Sequence, residues 1–134
     1  MSSARAVRMD FERRRHPRFP VALPIEYWQV DRSKSHPGQT IDISEGGLLL
    51  HVSESMEVGQ VLGLTLFITS SRELDAIEAL VQVEVVWKDT LEGKDGGYQV
   101  GVKFVYISPE DMEKLKNFLK TLESETPSAL KFHP

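Results

Sequence analysis

The sequence contains no cysteine and no long apolar stretch. Without cysteine, neither a disulfide framework nor a thiolate zinc site can form, which is compatible with a reducing compartment. No segment approaches the ~20 apolar residues that a membrane-spanning helix needs. Residues 1–30 carry acidic residues and arginines where a secretory signal peptide would have an apolar core. The sequence therefore predicts a cytoplasmic protein that does not insert into a membrane.

The usual residue groupings of an enzyme are also missing. The sequence has no Gly-x-Ser-x-Gly nucleophile motif and no phosphate-binding loop that ends in Gly-Lys-Ser or Gly-Lys-Thr. Its four histidines are scattered without metal-ligand spacing, at His16, His36, His51 and His133. We therefore expect no catalysis, no metal ion and no resident cofactor.

Charge is distributed unevenly along the chain. Residues 1–18 hold six arginines and two acidic residues, a net charge of +4, whereas residues 19–134 hold 10 basic and 18 acidic residues, a net charge of −8. The acidic body would repel an extended polyanion, so nucleic-acid binding is an unlikely function. A small anionic ligand held between the basic arm and the body fits this distribution better.

The length of 134 residues and the 40% hydrophobic content predict a single domain with tails. Alternation of apolar and polar residues indicates strands at about 21–27, 77–87 and 98–106, and apolar runs indicate strands at 48–52 and at 61–68, the second buried on both faces or nearly so. Polar turns are expected at 33–38 and at 44–47, the second between two short apolar runs. Five or six strands with short connections imply an antiparallel sheet closed into a small barrel over about 20–106.

A change of period then predicts a C-terminal helix over about 109–123. Ser108 is a candidate N-cap, Pro109 suits the first turn, and acidic residues follow where the helix dipole is positive. Apolar residues at spacings of three and four form one stripe that should pack on the barrel. Residues 124–134 are expected to form a loose tail, and residues 1–11 a flexible basic arm.

Two short motifs contain the chemistry of a binding site. Asp42 and Ser44 lie two residues apart on a predicted strand, which would turn both side chains to one face. A carboxylate can accept hydrogen bonds from the N1–H and the exocyclic amine of guanine. Gly47 would permit a positive φ and a close approach of ligand to backbone. The planar guanidinium of arginine binds phosphate oxygens and stacks on purines.

These motifs resemble those of the PilZ domain family. The segment Arg14-Arg15-His16-Pro17-Arg18 is similar to the family's RxxxR motif, and residues 42–47, Asp-Ile-Ser-Glu-Gly-Gly, are similar to its (D/N)xSxxG motif. Val86-Trp87 and residues 101–104 resemble the family's last strands, so the resemblance covers about 12–122. It implies a domain over 12–123, formed by a six-stranded antiparallel barrel with a C-terminal helix, that binds the bacterial second messenger cyclic di-GMP.

By the same resemblance, Arg14 and Arg18 would hold phosphates and stack on guanine. Asp42 and Ser44 would hydrogen-bond the base or its neighbouring phosphate, and Gly47 would allow the turn. Arg13 precedes the motif, where an arginine in the family accompanies two intercalated ligand molecules per chain.

Three further residues are candidate auxiliary contacts: Arg15, Gly46 and Trp87. For Trp87 the alternation of its strand favours an inward side chain and hence core packing over ligand contact.

The leading hypothesis is a stand-alone cyclic di-GMP receptor whose arginine-rich arm becomes ordered over the barrel when ligand binds and which signals to a partner protein. Two alternatives remain open at this point. One is a small barrel that binds single-stranded nucleic acid through the arm, although no row of aromatic side chains is evident beside a basic groove. The other is an adaptor that binds no ligand.

Overall fold

The computed structural model describes residues 16–31, 34–70, 73–88 and 96–131. They form seven strands and one helix: β1 (Phe19–Pro20), β2 (Pro24–Gln29), β3 (His36–Ile43), β4 (Gly47–Val52), β5 (Val61–Ser70), β6 (Glu73–Lys88), β7 (Tyr98–Ile107) and α1 (Pro109–Lys131).

Six of the strands close into an antiparallel barrel. The order around the ring is β2-β3-β4-β7-β6-β5, and the pairing of β5 with β2 completes it. The short strand β1 lies outside this ring and pairs with the end of β3. The predicted six-stranded antiparallel barrel with a C-terminal helix is confirmed, with β1 as an addition.

The barrel interior is filled by alternate residues of every strand. In β6, Ile77, Val81 and Val83 point inward and are almost completely buried, while Glu78 between them is exposed. The inward residues of β5 and β7 meet them, because paired residues of neighbouring strands point to the same side of a sheet. Burial of these side chains is the main source of stability.

Three strand starts differ from the sequence-based prediction by more than one residue, and one of these is β6, which begins at Glu73 rather than at residue 77. Strand β2 begins at Pro24 rather than at residue 21, because Thr40 binds the backbone of Val21 and Leu23 and holds that segment against β3. Strand β3 begins at His36 and includes part of the predicted turn 33–38. Pairing of β3 with β2 overrides the turn preference of its first residues.

Helix α1 begins as predicted. The Ser108 hydroxyl accepts a hydrogen bond from the Asp111 backbone N–H at 3.0 Å, and the Ser108 carbonyl accepts one from Met112 at 2.8 Å. Leu115 and Leu119 are buried against the barrel, as the apolar stripe indicated. In the part of the chain that the structure describes, no helix is long and apolar enough to cross a membrane.

The helix ends at Lys131 rather than near residue 123, so most of the expected loose tail is helical. Extending a helix costs far less than nucleating one, and the turns before residue 123 are already held by the barrel. The Ser124 hydroxyl also donates to the Lys120 carbonyl at 3.1 Å, one turn earlier, which is compatible with a continuing helix.

Candidate functional site

A cleft of about 520 Å³ opens at the barrel surface between the β3–β4 turn and strands β6 and β7. Its volume is in the range of small-molecule sites. The described residues that line it are His16, Arg18, Asp42, Gly46, Gly47, Leu48, Val58, Gly59, Gln82, Val83, Glu84, Gly101, Val102 and Lys103.

Asp42 reaches this cleft because of a β-bulge in β3. Thr40 is fully buried and pairs with Leu50, whereas Asp42 pairs with Leu49, so Ile41 is the extra residue. Simple alternation from Thr40 would direct Asp42 into the barrel. The bulge shifts the phase by one residue, so Ile43 is buried instead and the carboxylate faces outward.

Arg18 and Asp42 form a two-pronged ion pair at the rim of the cleft. The Arg18 Nε and Nη2 atoms donate to Asp42 Oδ1 at 3.3 and 3.2 Å, and Nη2 lies 3.1 Å from Oδ2. Pairing of β1 with β3 places them side by side, since Pro20 is opposite Asp42. The structure therefore joins one residue from each of the two motifs. Their side chains are 31% and 19% exposed, so both remain within reach of a ligand.

Ser44 lies beyond the end of β3 and is 1% exposed. Its hydroxyl accepts hydrogen bonds from the N–H groups of Gly46 and Gly47 at 3.1 and 3.2 Å and donates to the Gly47 carbonyl at 3.2 Å. The expectation that Ser44 and Asp42 lie on one strand is therefore wrong, because β3 ends at Ile43 and Ser44 begins the turn. In this structure Ser44 shapes the β3–β4 turn, and its contact with a ligand stays a prediction.

Gly47 is required for a different reason than the sequence suggested. Its φ is not among the positive φ angles of the described glycines, which occur at Gly59 and Gly97. A Cβ at Gly47 would instead overlap the carbonyl oxygen of Val102 on β7. The glycine thus lets β4 lie against β7 at the cleft. Gly46 has more room, since its nearest neighbour would be the His16 ring at 3.3 Å.

Trp87 is 44% exposed, and the predicted inward position is wrong. A register shift occurs between Val83 and Val85 in the pairing of β6 with β7, so Glu84 is an extra residue. Beyond this bulge it is Val86 that packs against the core, opposite the buried Val100. Trp87 is not among the described residues that line the cleft.

Arg13, Arg14 and Arg15 lie outside the described residues, as does the predicted flexible arm of residues 1–11. Of the predicted site residues, the structure brings Arg18, Asp42, Gly46 and Gly47 to one cleft.

Several residues of the cleft were missed by the sequence analysis. Lys103 pairs with Gly47 across β7 and β4, and its Nζ lies 4.0 Å from Glu84 Oε2. His16 Nδ1 lies 3.8 Å from Glu45 Oε1. Lys103 lies in the segment 101–104 that carries part of the family resemblance, but only the barrel pairing reveals that it opens onto the cleft.

The groups with clearly displaced pKa values do not line the cleft. Burial, and then the negative charge of Glu54, raises the pKa of Tyr27 to about 12. The pKa of Asp75 is lowered by the Ala76 N–H and by Lys114, and the pKa of Lys114 is raised by Asp75. Among the described residues no group of three or more acidic or histidine side chains could hold a metal ion.

Solved structures with the same fold were found, and no curated protein matched. MotI/DgrA of Bacillus subtilis has a TM-score of 0.70 at 17% identity over 84% of this chain and 53% of that one. The PilZ domain of Escherichia coli YcgR with c-di-GMP has a TM-score of 0.67 at 16% identity over 89% and 98% of the two chains. The Klebsiella pneumonia MrkH–c-di-GMP complex has a TM-score of 0.67 at 21% identity over 87% and 55%.

The chain thus spans about half the length of MotI/DgrA and MrkH but nearly all of the YcgR domain. At these identities the structural likeness shows the fold. The family model "PilZ domain" matches residues 12–121, which include both sequence motifs and the whole barrel. PilZ domains bind ligands or partners and are not enzymes. The chain belongs to the PilZ domain family.

Proposed function

We propose that this chain is a receptor for cyclic di-GMP. The observation that carries the proposal is the Arg18–Asp42 pair at the rim of a 520 Å³ cleft, because it combines one residue of each family motif. Two of the similar structures, the YcgR domain and MrkH, are complexes with c-di-GMP.

The two members of the pair match the two kinds of polar group in this ligand, its phosphates and its guanine bases. A phosphate of the ligand would accept hydrogen bonds from the Arg18 guanidinium. The N1–H and the exocyclic amine of guanine would donate to Asp42 in place of that guanidinium. A ligand with only a phosphate would leave the Asp42 carboxylate without its cation. A guanine nucleotide supplies both a phosphate for Arg18 and hydrogen-bond donors for Asp42. The pair should therefore bind such a nucleotide in preference to a simple anion.

The signal would then come from the arginine-rich arm. Two intercalated ligand molecules carry four phosphates, which Arg14 and Arg18 cannot match alone, and Arg13 supplies a third guanidinium. Ordering the arm costs about 1–2 kcal/mol per residue, and the ligand offsets this cost by binding arm and barrel together. The ordered arm would present a new surface to a partner protein.

Calorimetric titration tests the proposal, with cyclic di-GMP, cyclic di-AMP, GTP and a short oligonucleotide as ligands. We expect cyclic di-GMP to bind most tightly. Arg14→Ala and Arg18→Ala should each weaken binding more than about tenfold, since a charged hydrogen bond contributes about 1.5–3 kcal/mol. Lys120→Ala is the matched control, because it removes an exposed cation of α1 that does not line the cleft.

Asp42→Ala should reduce the preference for cyclic di-GMP over cyclic di-AMP more than the overall affinity, because adenine lacks the N1–H. Equal binding of the two cyclic dinucleotides by the unmodified chain would contradict the role of Asp42. Tight binding of the oligonucleotide would favour the nucleic-acid alternative, and no binding at all would favour the adaptor.

A further inference from the structure

Four residues form one row across the outer face of the barrel, from β2 to β7. Trp28 pairs with Gly63, Gly63 pairs with Leu80, and Leu80 pairs with Tyr106. The strand neighbours of Gly63 and Leu80 are buried in the barrel, so these two residues and their pairing partners Trp28 and Tyr106 share the outward side. We call Trp28, Gly63, Leu80 and Tyr106 the outer row.

The outer row presents a broad apolar surface. Tyr106 is 59% exposed and Leu80 is 37% exposed, and Val105 beside them, at a register shift in β7, is 51% exposed. The Trp28 indole lies over Gly63, where a Cβ would overlap the ring. A glycine in the middle of a strand weakens that strand, so its presence here is explained by the space that the indole occupies.

Charge is placed unequally on the two sides of the outer row. On one side the next row runs from Glu26 through Thr65 to Glu78, and both glutamates are exposed. On the other side the next row contains Lys103, whose Nζ lies 4.0 Å from Glu84 Oε2. The apolar row therefore has an acidic edge.

We infer that the outer row is a docking face for a partner protein whose contact segment carries apolar side chains flanked by lysine or arginine. Tryptophan and tyrosine are enriched among the few residues that dominate binding energy at protein interfaces, and charges at the rim help to select the partner. A second copy of this chain is disfavoured as the occupant, because residues 19–134 carry a net charge of −8 and would bring the same acidic edge.

The outer row also adjoins the cleft. Gln82 and Lys103 pair with one another in the row next to Leu80 and Tyr106, and both line the cleft. A docked segment would therefore lie beside bound cyclic di-GMP. This link between docking and ligand rests on the proposed function, whereas the docking face itself does not.

A peptide probe tests the inference on the full chain. The probe is a fluorescently labelled amphipathic peptide of leucine and lysine, and its charge-reversed counterpart has glutamate in place of lysine. We expect the lysine peptide to bind and to shift the backbone amide NMR signals of Leu80 and Tyr106. The glutamate peptide should bind at least about tenfold more weakly.

Leu80→Ser and Tyr106→Ser should each weaken binding of the lysine peptide about tenfold or more. Leu74→Ser is the matched control, because Leu74 is a 73% exposed leucine outside the outer row. Equal losses in Leu74→Ser and Leu80→Ser, or amide shifts confined to other surfaces, would overturn the inference. Circular dichroism of each variant separates lost docking from lost folding.

Glu78→Lys should weaken binding of the lysine peptide several-fold, and more at low salt than at high salt. Glu57→Lys makes the same change in net charge at an exposed position off the acidic edge and should have a smaller effect. Equal effects would show attraction by net charge alone and overturn the inference. A dimer that is seen in analytical ultracentrifugation and is dissociated by Leu80→Ser would also overturn the inference, because the occupant of the docking face would then be a second copy of this chain.

Calorimetry with cyclic di-GMP on the same variants keeps the two proposals apart. If Leu80→Ser loses the peptide but binds ligand normally, the docking face is supported independently of the ligand. Absence of ligand binding in the unmodified chain would contradict the proposed function and leave the peptide result valid.

Discussion

At the scale of single residues, the site is built by side chains that neutralise one another before any ligand arrives. The Arg18–Asp42 pair is partly buried, but it lies at the rim of the cleft, where water still reaches both side chains and reduces the contribution of the pair to stability. Arg18 and Asp42 can therefore each exchange their mutual contact for a contact with a ligand at small cost to the stability of the fold. This is the property that a binding site needs and that a structural salt bridge lacks.

Gly47 should tolerate no side chain. Gly47→Ala would push a methyl group into the Val102 carbonyl, and we expect a loss of about 1–3 kcal/mol in the free energy of unfolding, measured by urea denaturation. Gly46→Ala is the matched control, since only the His16 ring must move, and it should cost much less. Similar losses for both variants would contradict this explanation of the glycine pair.

Arg13 should decide how many ligand molecules bind. We expect about two cyclic di-GMP molecules per chain, falling towards one in Arg13→Leu, because the second ligand loses its guanidinium contacts. The molar ratio from calorimetry measures this directly, and Lys120→Leu serves as the control, because Lys120 is an exposed cation that does not line the cleft. A ratio of one in the unmodified chain would contradict the role of Arg13.

At the scale of elements, two bulges decide which residues of β3 and β6 face outward. The bulge at Ile41 directs Asp42 to the cleft, and the one at Glu84 exposes Trp87 while Val86 packs on the core. An extra residue in a strand shifts the inside–outside phase of everything that follows it. A strand with a bulge can therefore bury its apolar residues in the core and still direct a polar residue such as Asp42 outward.

Helix α1 is tied to β6 by a small charge cluster. Lys114 Nζ lies 3.2 Å from Asp75 Oδ1 and 3.4 Å from Asp111 Oδ1, and the Ala76 N–H donates to Asp75 at 2.8 Å. These contacts lower the pKa of Asp75, with the Ala76 N–H as the largest cause. A lowered pKa adds stability above the usual value of 3.8, and this stability is lost as the pH falls through the lower value of the folded protein.

In Lys114→Met the pKa of Asp75 should therefore rise towards its usual value yet stay below it, because the Ala76 hydrogen bond remains. Titration of the Asp75 carboxyl by NMR measures the change, and Lys116→Met on the same helix should leave it unaltered. A pKa of Asp75 that is identical in all three proteins would show that Lys114 does not act on it.

At the scale of the whole molecule, the barrel interior is apolar apart from a few polar atoms, and one of these is an anomaly. Tyr27 is 2% exposed, and its hydroxyl has no hydrogen-bond partner among the described residues. Its ring lies 5.4 Å from the ring of His36, whose Nδ1 lies 3.3 Å from Glu54 Oε2. A buried polar group without a partner costs stability.

Tyr27→Phe should therefore leave the free energy of unfolding unchanged or raise it near pH 8. In the unmodified chain the pKa of Tyr27 is raised to about 12, so stability should fall as the pH rises from about 10 to 12, by roughly 1–3 kcal/mol. In Tyr27→Phe the free energy of unfolding, measured by urea denaturation, should not show this part of the decrease at alkaline pH.

Tyr106→Phe is the control for that measurement, because Tyr106 is exposed. If Tyr27→Phe and the unmodified chain lose stability identically between pH 8 and pH 12, the buried hydroxyl does not account for the alkaline loss.

The sequence by itself determined the class of fold and the identity of the motifs. Period-two alternation in β6 and β7 and the N-cap at Ser108 are local properties, since side-chain direction and helix capping depend on neighbouring residues. The RxxxR and DxSxxG motifs likewise occupy consecutive positions, so they could be identified before any contact was known.

Only the tertiary structure decided which of these residues meet and which way they face. The Arg18–Asp42 pair depends on the addition of β1 to β3, the outward turn of Asp42 and Trp87 depends on bulges, and the role of Gly47 depends on β7. Pairing between strands distant in sequence determines where a bulge falls, and one extra residue reverses the face of all that follow. Local alternation carries no information about that choice, because the free energy that decides it comes from partners elsewhere in the chain.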